Sequence, residues 1–108
     1  MTVNELKDAM NLEALALPCP DHKIEGAYAG DLLSWVMGRA TEDSVWATIM
    51  TNVNVIAVAS LVGVACAVIC EGCEVGDDVI NTAAAKGVNL LRTSEPIYEF
   101  CVGLSKLI

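Results

Sequence analysis

Val64-Ala65-Cys66-Ala67-Val68-Ile69-Cys70 is a short, unbroken apolar run. A helix-like stretch, Asp77 to Lys86, follows it and is stopped by Gly87. A second apolar run comes next, Val88-Asn89-Leu90-Leu91, and then a segment started by Pro96 that extends from Ile97 to Leu107. Two strand-then-helix units in succession predict a parallel sheet, because parallel strands need a crossover and a helix is the usual one. Such sheets place ligands at the carboxyl ends of their strands.

The same alternation extends upstream. Val45 to Met50 is read as a buried strand. Thr51 and Asn52 then cap a helix through Val62, with Val55, Ala59 and Val62 on one face and Gly63 as its stop. Leu32 to Met37 forms a short helix or turn before Gly38, and Ile24 to Ala29 is a strand that ends in Gly30-Asp31. Leu12 to Leu17 is the first strand, closed by Pro18-Cys19-Pro20. Thr2 with Glu5 three residues on is a capping-box pattern, and Val3, Leu6 and Met10 make the short helix behind it amphipathic. The expected architecture is a single three-layer α/β/α domain over residues 1–108, with a mainly parallel sheet of four or five strands.

Composition agrees with this. Of 108 residues, 55% are hydrophobic and the mean hydropathy is +0.53, as suits strands buried on both faces. The longest apolar stretch, Val53 to Cys70, is broken by Asn54, Ser60 and Gly63 and has no basic flank, so it is read as helix plus strand and not as a membrane span. The start of the chain, Met1 to Asp8, is acidic and amphipathic, unlike a signal peptide, and a cytoplasmic location is expected. A net charge of −8, with only six scattered basic residues, argues against nucleic acid.

Five cysteines, an odd number, are read as reduced thiols. Cys66, Cys70 and Cys73 have the C-x3-C-x2-C spacing of iron–sulfur radical enzymes. If Val64 to Cys70 is a strand, however, Cys66 and Cys70 lie about 13 Å apart, too far to share one cluster. Cys70-Glu71-Gly72-Cys73 alone is a C-x2-C pair without a second pair for a metal. A redox role for Cys70 and Cys73 stays as a minor alternative, and no metal or cofactor is expected.

No P-loop, dinucleotide fingerprint or serine elbow is present. His22, the one histidine, is read as a solvated loop residue. Trp35 and Trp46 are read as core or dimer-interface residues. The polar groups expected at strand ends are Gly30 and Asp31, then Thr51, Asn52 and Asn54, then Thr93 and Ser94. At Thr51 to Asn54 a helix would start directly after a strand, and free backbone N–H groups there make an anion site. Simple capping is the alternative for Asp31 and for Thr51-Asn52.

Gly30-Asp31-Leu32-Leu33-Ser34, Val45 to Met50, Gly63 to Gly72, Ala85 to Leu91 and Thr93 to Glu99 together resemble the DRTGG domain, over most of the chain. The resemblance implies an α/β domain similar to the N-terminal domain of HPr kinase/phosphorylase, of the kind found beside CBS pairs, with a regulatory role. Small stand-alone copies resemble proteins associated with iron-only hydrogenases. The chain lacks the kinase domain, so kinase activity is not implied. It also departs from the family's naming motif. Thr51-Asn52 stands where the family tends to have Asp-Arg, and Cys70-Glu71-Gly72 where it has Thr-Gly-Gly; of these only Gly72 survives. The expected function is a non-catalytic regulatory or ligand-sensing domain, working as a homodimer, that takes a small anionic or nucleotide-like ligand near Gly30, Asp31, Thr51, Asn52, Asn54, Gly72, Thr93 and Ser94. A protein-interaction adaptor is the rival reading.

Overall fold

Helices alternate with short strands through all 108 residues described by the computed structural model. Helix α1 is Val3–Ala9, followed by β1 (Glu13–Ala16), β2 (Gly26–Ala29), α2 (Leu33–Arg39) and β3 (Ser44–Thr48). Then come α3 (Asn54–Val62), β4 (Cys66–Ile69), α4 (Asp77–Lys86), β5 (Leu90–Arg92) and α5 (Ile97–Ser105). The five strands form one sheet in the order β1-β5-β4-β3-β2. The pairs β2/β3, β3/β4 and β4/β5 are parallel, whereas β1 joins β5 antiparallel with a bulge between Ala14 and Ala16.

The apolar run that decides the fold lies in the centre. Cys66, Ala67, Val68 and Ile69 are all buried. Side chains alternate across a strand, so Ala67 and Ile69 join one core while Cys66 and Val68 join the other. The first core takes Val36, Val55, Ile56, Val79 and Ala83 from α2, α3 and α4. The second takes Val3, Leu6, Phe100 and Leu104 from α1 and α5. This is the three-layer α/β/α arrangement with a mainly parallel sheet that the sequence predicts. Trp46 is fully buried, and its Nε1 donates to the Gly30 carbonyl at 2.9 Å.

Several boundaries differ from the sequence reading, each for a local reason. The strand expected to reach Met50 stops at Thr48, because Asp31 Oδ1 accepts the Ile49 N–H at 3.0 Å and Thr48 Oγ1 accepts the Met50 N–H at 3.2 Å. Helix α3 starts at Asn54 and not on a Thr51-Asn52 cap. Asn52 Oδ1 accepts the Asn54 N–H at 2.9 Å, and Val53, the N-cap residue, makes no side-chain bond. The last strand is Leu90–Arg92 and not Val88 to Leu91. The Val88 N–H bonds back to Ala83 at 2.9 Å, and the Asn89 side chain ties Cys19 to Ala65. Gly38 lies inside α2 and does not stop it. The Thr2/Glu5 capping box is present in both directions, at 2.8 and 3.2 Å.

Phe100 seals the second core with no exposed surface, whereas Leu61 on α3 is 73% exposed. Phe100→Ala is therefore expected to lower the unfolding free energy by about 3–5 kcal/mol, and Leu61→Ala to change it by no more than about 0.5 kcal/mol. Urea denaturation followed by circular dichroism measures both, and equal effects would contradict this core assignment.

Candidate functional site

The connections that leave β4 and β5 part to opposite faces of the sheet. The β4 connection runs to α4, which packs in the first core, and the β5 connection runs to α5, which packs in the second. Neighbouring parallel strands whose connections diverge open a crevice at their carboxyl ends. A cavity of about 200 Å³ lies there, lined by Asn11, Glu13, Gly72, Arg92, Thr93 and Ser94. No lining residue is hydrophobic.

The crevice walls are held by bonds between the two connections. Glu71 and Gly72 both adopt left-handed backbone, at φ +67 and +66. That conformation is natural for Gly72 and costly for Glu71. It turns the Glu71 N–H to the Glu95 carbonyl at 2.8 Å and the Gly72 N–H to the Thr93 carbonyl at 3.0 Å. The Glu71 side chain reaches on to accept the Ile97 N–H, the first of α5, at 2.8 Å. Thr93 is nearly buried, and its Oγ1 accepts the Glu95 N–H at 3.2 Å.

Arg92 is the one cation in the crevice. Its Nε lies 3.2 Å from Glu13 Oε1, and its Nη1 donates to the Cys73 carbonyl at 3.4 Å. Glu13 and Arg92 are direct partners across the β1/β5 ladder, which puts their side chains on the same face. The Glu13 side chain is 59% exposed, and an exposed pair of this kind is worth only about 0–1 kcal/mol.

Of the residues singled out in the sequence, the fold brings Gly72, Thr93 and Ser94 together in this crevice. Gly30 and Asp31 sit elsewhere, at the end of β2. Asp31 Oδ1 accepts from Thr48 Oγ1 at 2.7 Å and from the Ile49 backbone at 3.0 Å, so it ties the ends of β2 and β3 together. Thr51, Asn52 and Asn54 lie beyond β3, where Asn52 serves the backbone of Asn54. Sequence reasoning missed Arg92, Asn11 and Glu13. Asn11 and Glu13 reach the crevice only because β1 runs antiparallel, and a short strand carries no signal for its direction. Arg92 had a signal, as the one basic residue just before Thr93-Ser94.

His22, expected as a solvated loop residue, is half-buried, with Nε2 2.6 Å from Asp43 Oδ1. With Gly63 and Gly87 it borders a smaller cavity at the amino ends of the strands, away from the crevice. Trp35 is 51% exposed and is stacked by Arg39 at 3.6 Å from the ring centroid. No three or more His, Cys, Asp or Glu side chains converge as metal ligands, and no helix is long and apolar enough to cross a membrane.

The chain's sequence matches no protein-family model and no curated protein. Its fold matches the crystal structure of the CBS and DRTGG domains of the regulatory region of Clostridium perfringens pyrophosphatase, complexed with the activator diadenosine tetraphosphate. The TM-score is 0.73 at 10% identity, over 91% of this chain and 43% of that one. This chain thus spans less than half of that regulatory region, and what the two share is a DRTGG-like α/β fold.

The thiols divide sharply by environment. Burial pushes Cys66 and Cys70 up to about 12, and for Cys70 the nearby Cys101, Glu71, Glu95 and Asp31 add to the effect. A reactive thiol needs the opposite shift. Keeping these two thiols neutral stabilises the fold fully below the ordinary thiol value of 9.0, and that contribution is lost as pH rises towards about 12. At pH 8, iodoacetamide is expected to label exposed Cys19 first, with Cys66 and Cys70 protected until denaturant is added. Peptide mass spectrometry reads the order. Labelling of Cys70 as fast as Cys19 would restore the redox reading of Cys70 and Cys73.

Proposed function

We propose that this chain is a non-catalytic regulatory domain that senses a small nucleotide-like or anionic ligand in the crevice between the β4 and β5 connections. The observation that carries the reading is a wholly polar cavity with one arginine at the point where neighbouring connections diverge. The solved structure with the same fold is a regulatory region complexed with a nucleotide activator, which supports the ligand class. Gly72, Thr93 and Ser94 would contact the ligand with Arg92. Gly30, Asp31, Thr51, Asn52 and Asn54 would shape the adjoining strand ends.

Size narrows what enters. Sites that enclose a drug-sized ligand have about 300–1,000 Å³, so a cavity of about 200 Å³ takes one phosphate or carboxylate group and leaves the rest of a nucleotide outside. None of the six lining residues is histidine or cysteine, and the histidine lies at the other end of the strands. Binding without chemistry is the activity this arrangement favours. Isothermal titration with ATP, diadenosine tetraphosphate and acetyl phosphate is expected to give one site per chain for at least one of them, weakened by added salt. No heat or competition with any of the three would overturn the reading.

A specific observation favours a second element, self-association or adaptor binding. Beside the open edge of β2, Ala27, Ala29, Ala47, Leu104 and Ile108 line an apolar groove of about 280 Å³. An exposed sheet edge next to apolar surface is a natural pairing site. We propose a homodimer through this edge. Sedimentation equilibrium is expected to give twice the 11.4 kDa chain mass, with Ala29→Lys returning the single-chain value. A wild-type chain that sediments at 11.4 kDa would count against the dimer.

A further inference from the structure

We infer that Glu13 is an internal substitute for the anionic group of the ligand, so that binding exchanges the ligand for Glu13 on Arg92 and releases the start of β1. The inference rests on the crevice reading proposed above and adds how occupancy is transmitted. Three observations converge on it.

The first is position. Glu13 and Arg92 both line the crevice, and the Glu13 carboxylate holds the guanidinium that an incoming anion would need, at 3.2 Å. An arginine fork binds phosphate and carboxylate in the same planar manner. Arg92 Nη1 is already directed to the Cys73 carbonyl at 3.4 Å and Nε to Glu13, so an anion that takes the fork bearing Nε must displace Glu13.

The second is exposure. The Glu13 side chain is 59% exposed, against 31% for Arg92. Glu13 can therefore swing into water at small cost, whereas Arg92 stays anchored by its strand and by Cys73. A carboxylate that also capped a helix, as Glu71 does for Ile97, could not leave so cheaply.

The third is what Glu13 holds down. It is the first residue of β1, the one antiparallel strand, paired to β5 at the sheet edge. The strand is short, Glu13 and Ala14 are exposed, and the ladder is irregular between Ala14 and Ala16. The Glu13–Arg92 pair closes the end of this ladder opposite the bulge. Removing it loosens the edge strand that continues from α1 through Asn11, another crevice residue.

The test is titration of the full chain with inorganic phosphate and with ATP, on wild type, Glu13→Gln and Arg92→Gln, alongside amide hydrogen exchange of residues 13–16. Glu13→Gln removes the competitor and is expected to tighten binding about fivefold, while Arg92→Gln weakens it at least about tenfold. Saturation of wild type with ATP is expected to speed exchange in β1. A merely structural ion pair predicts instead that Glu13→Gln leaves affinity unchanged and that ligand does not alter β1 exchange. Either result overturns the inference and leaves the crevice standing. If neither wild type nor Glu13→Gln binds phosphate or ATP, the crevice reading falls and the exchange with it. Arg92→Lys, which keeps the charge, is expected to retain part of the affinity and serves where Arg92→Gln fails to fold.

Discussion

Strand β4 is closed in every direction, and the rest of the molecule is arranged around that constraint. It pairs with β3 on one edge and β5 on the other, and both its faces are covered by helices. A strand in this position can display no polar side chain without stranding it from water. Its backbone groups must all be used in the ladders. Chemistry is thereby excluded from the middle of the sheet and pushed to the strand ends. Cys66 shows the consequence directly: a residue type capable of redox and metal chemistry is held neutral by burial alone, with its thiol pushed up to about 12.

At the carboxyl ends the molecule supplies its own anions. Glu71 accepts the first N–H of α5, Asp31 bridges the ends of β2 and β3, and Glu13 occupies Arg92. Asp77 and Asp78 stand in the first turn of α4, and Glu99 in that of α5. The bases Arg39 and Lys86 stand in the last turns of α2 and α4. This is the distribution that helix dipoles favour, acids at N-termini and bases at C-termini. In a parallel sheet every following helix starts at the carboxyl-end face, so the acids that open α4 and α5 add negative charge there, whereas α2 and α3 open without one. In the crevice itself the Glu71 and Gly72 N–H groups are consumed internally, and Arg92 is the one cation, held by Glu13.

How much of this is legible in the sequence depends on the range of the interaction. The capping box at Thr2, the helix from Asp77 to Lys86 and the central strand are written within a few residues, so local pattern finds them. Both left-handed glycines that end α3 and α4, Gly63 and Gly87, are legible for the same reason. Some misses are local, such as the Asn52–Asn54 bond that delays α3, but the larger ones involve partners distant in sequence. The early end of β3 comes from Asp31, and the late start of β5 from Asn89 bonding to Cys19 and Ala65. The direction of β1 is set by pairing with β5 across most of the chain. The candidate site follows the same division. Gly72, Thr93 and Ser94 are found because loops after strands are local features. Asn11 and Glu13 are not, because only the antiparallel edge brings them to the crevice.

The acidity of the chain bears on which ligands such a crevice can accept. A net charge of −8 disfavours an extended polyanion overall, and one arginine cannot compensate over the length of a nucleic acid. A small ligand meets a different balance. Fields from exposed carboxylates are screened beyond about 8 Å at physiological salt, so an anionic group seated on Arg92 is governed mainly by its immediate neighbours. The nearest opposing charge is Glu13, whose side chain is largely exposed. If it moves into solvent as the ligand enters, the guanidinium exchanges one anion for another and the local charge in the crevice barely changes. An acidic domain can in this way select a small anion without carrying a basic surface, provided that its arginine is kept occupied until the ligand arrives.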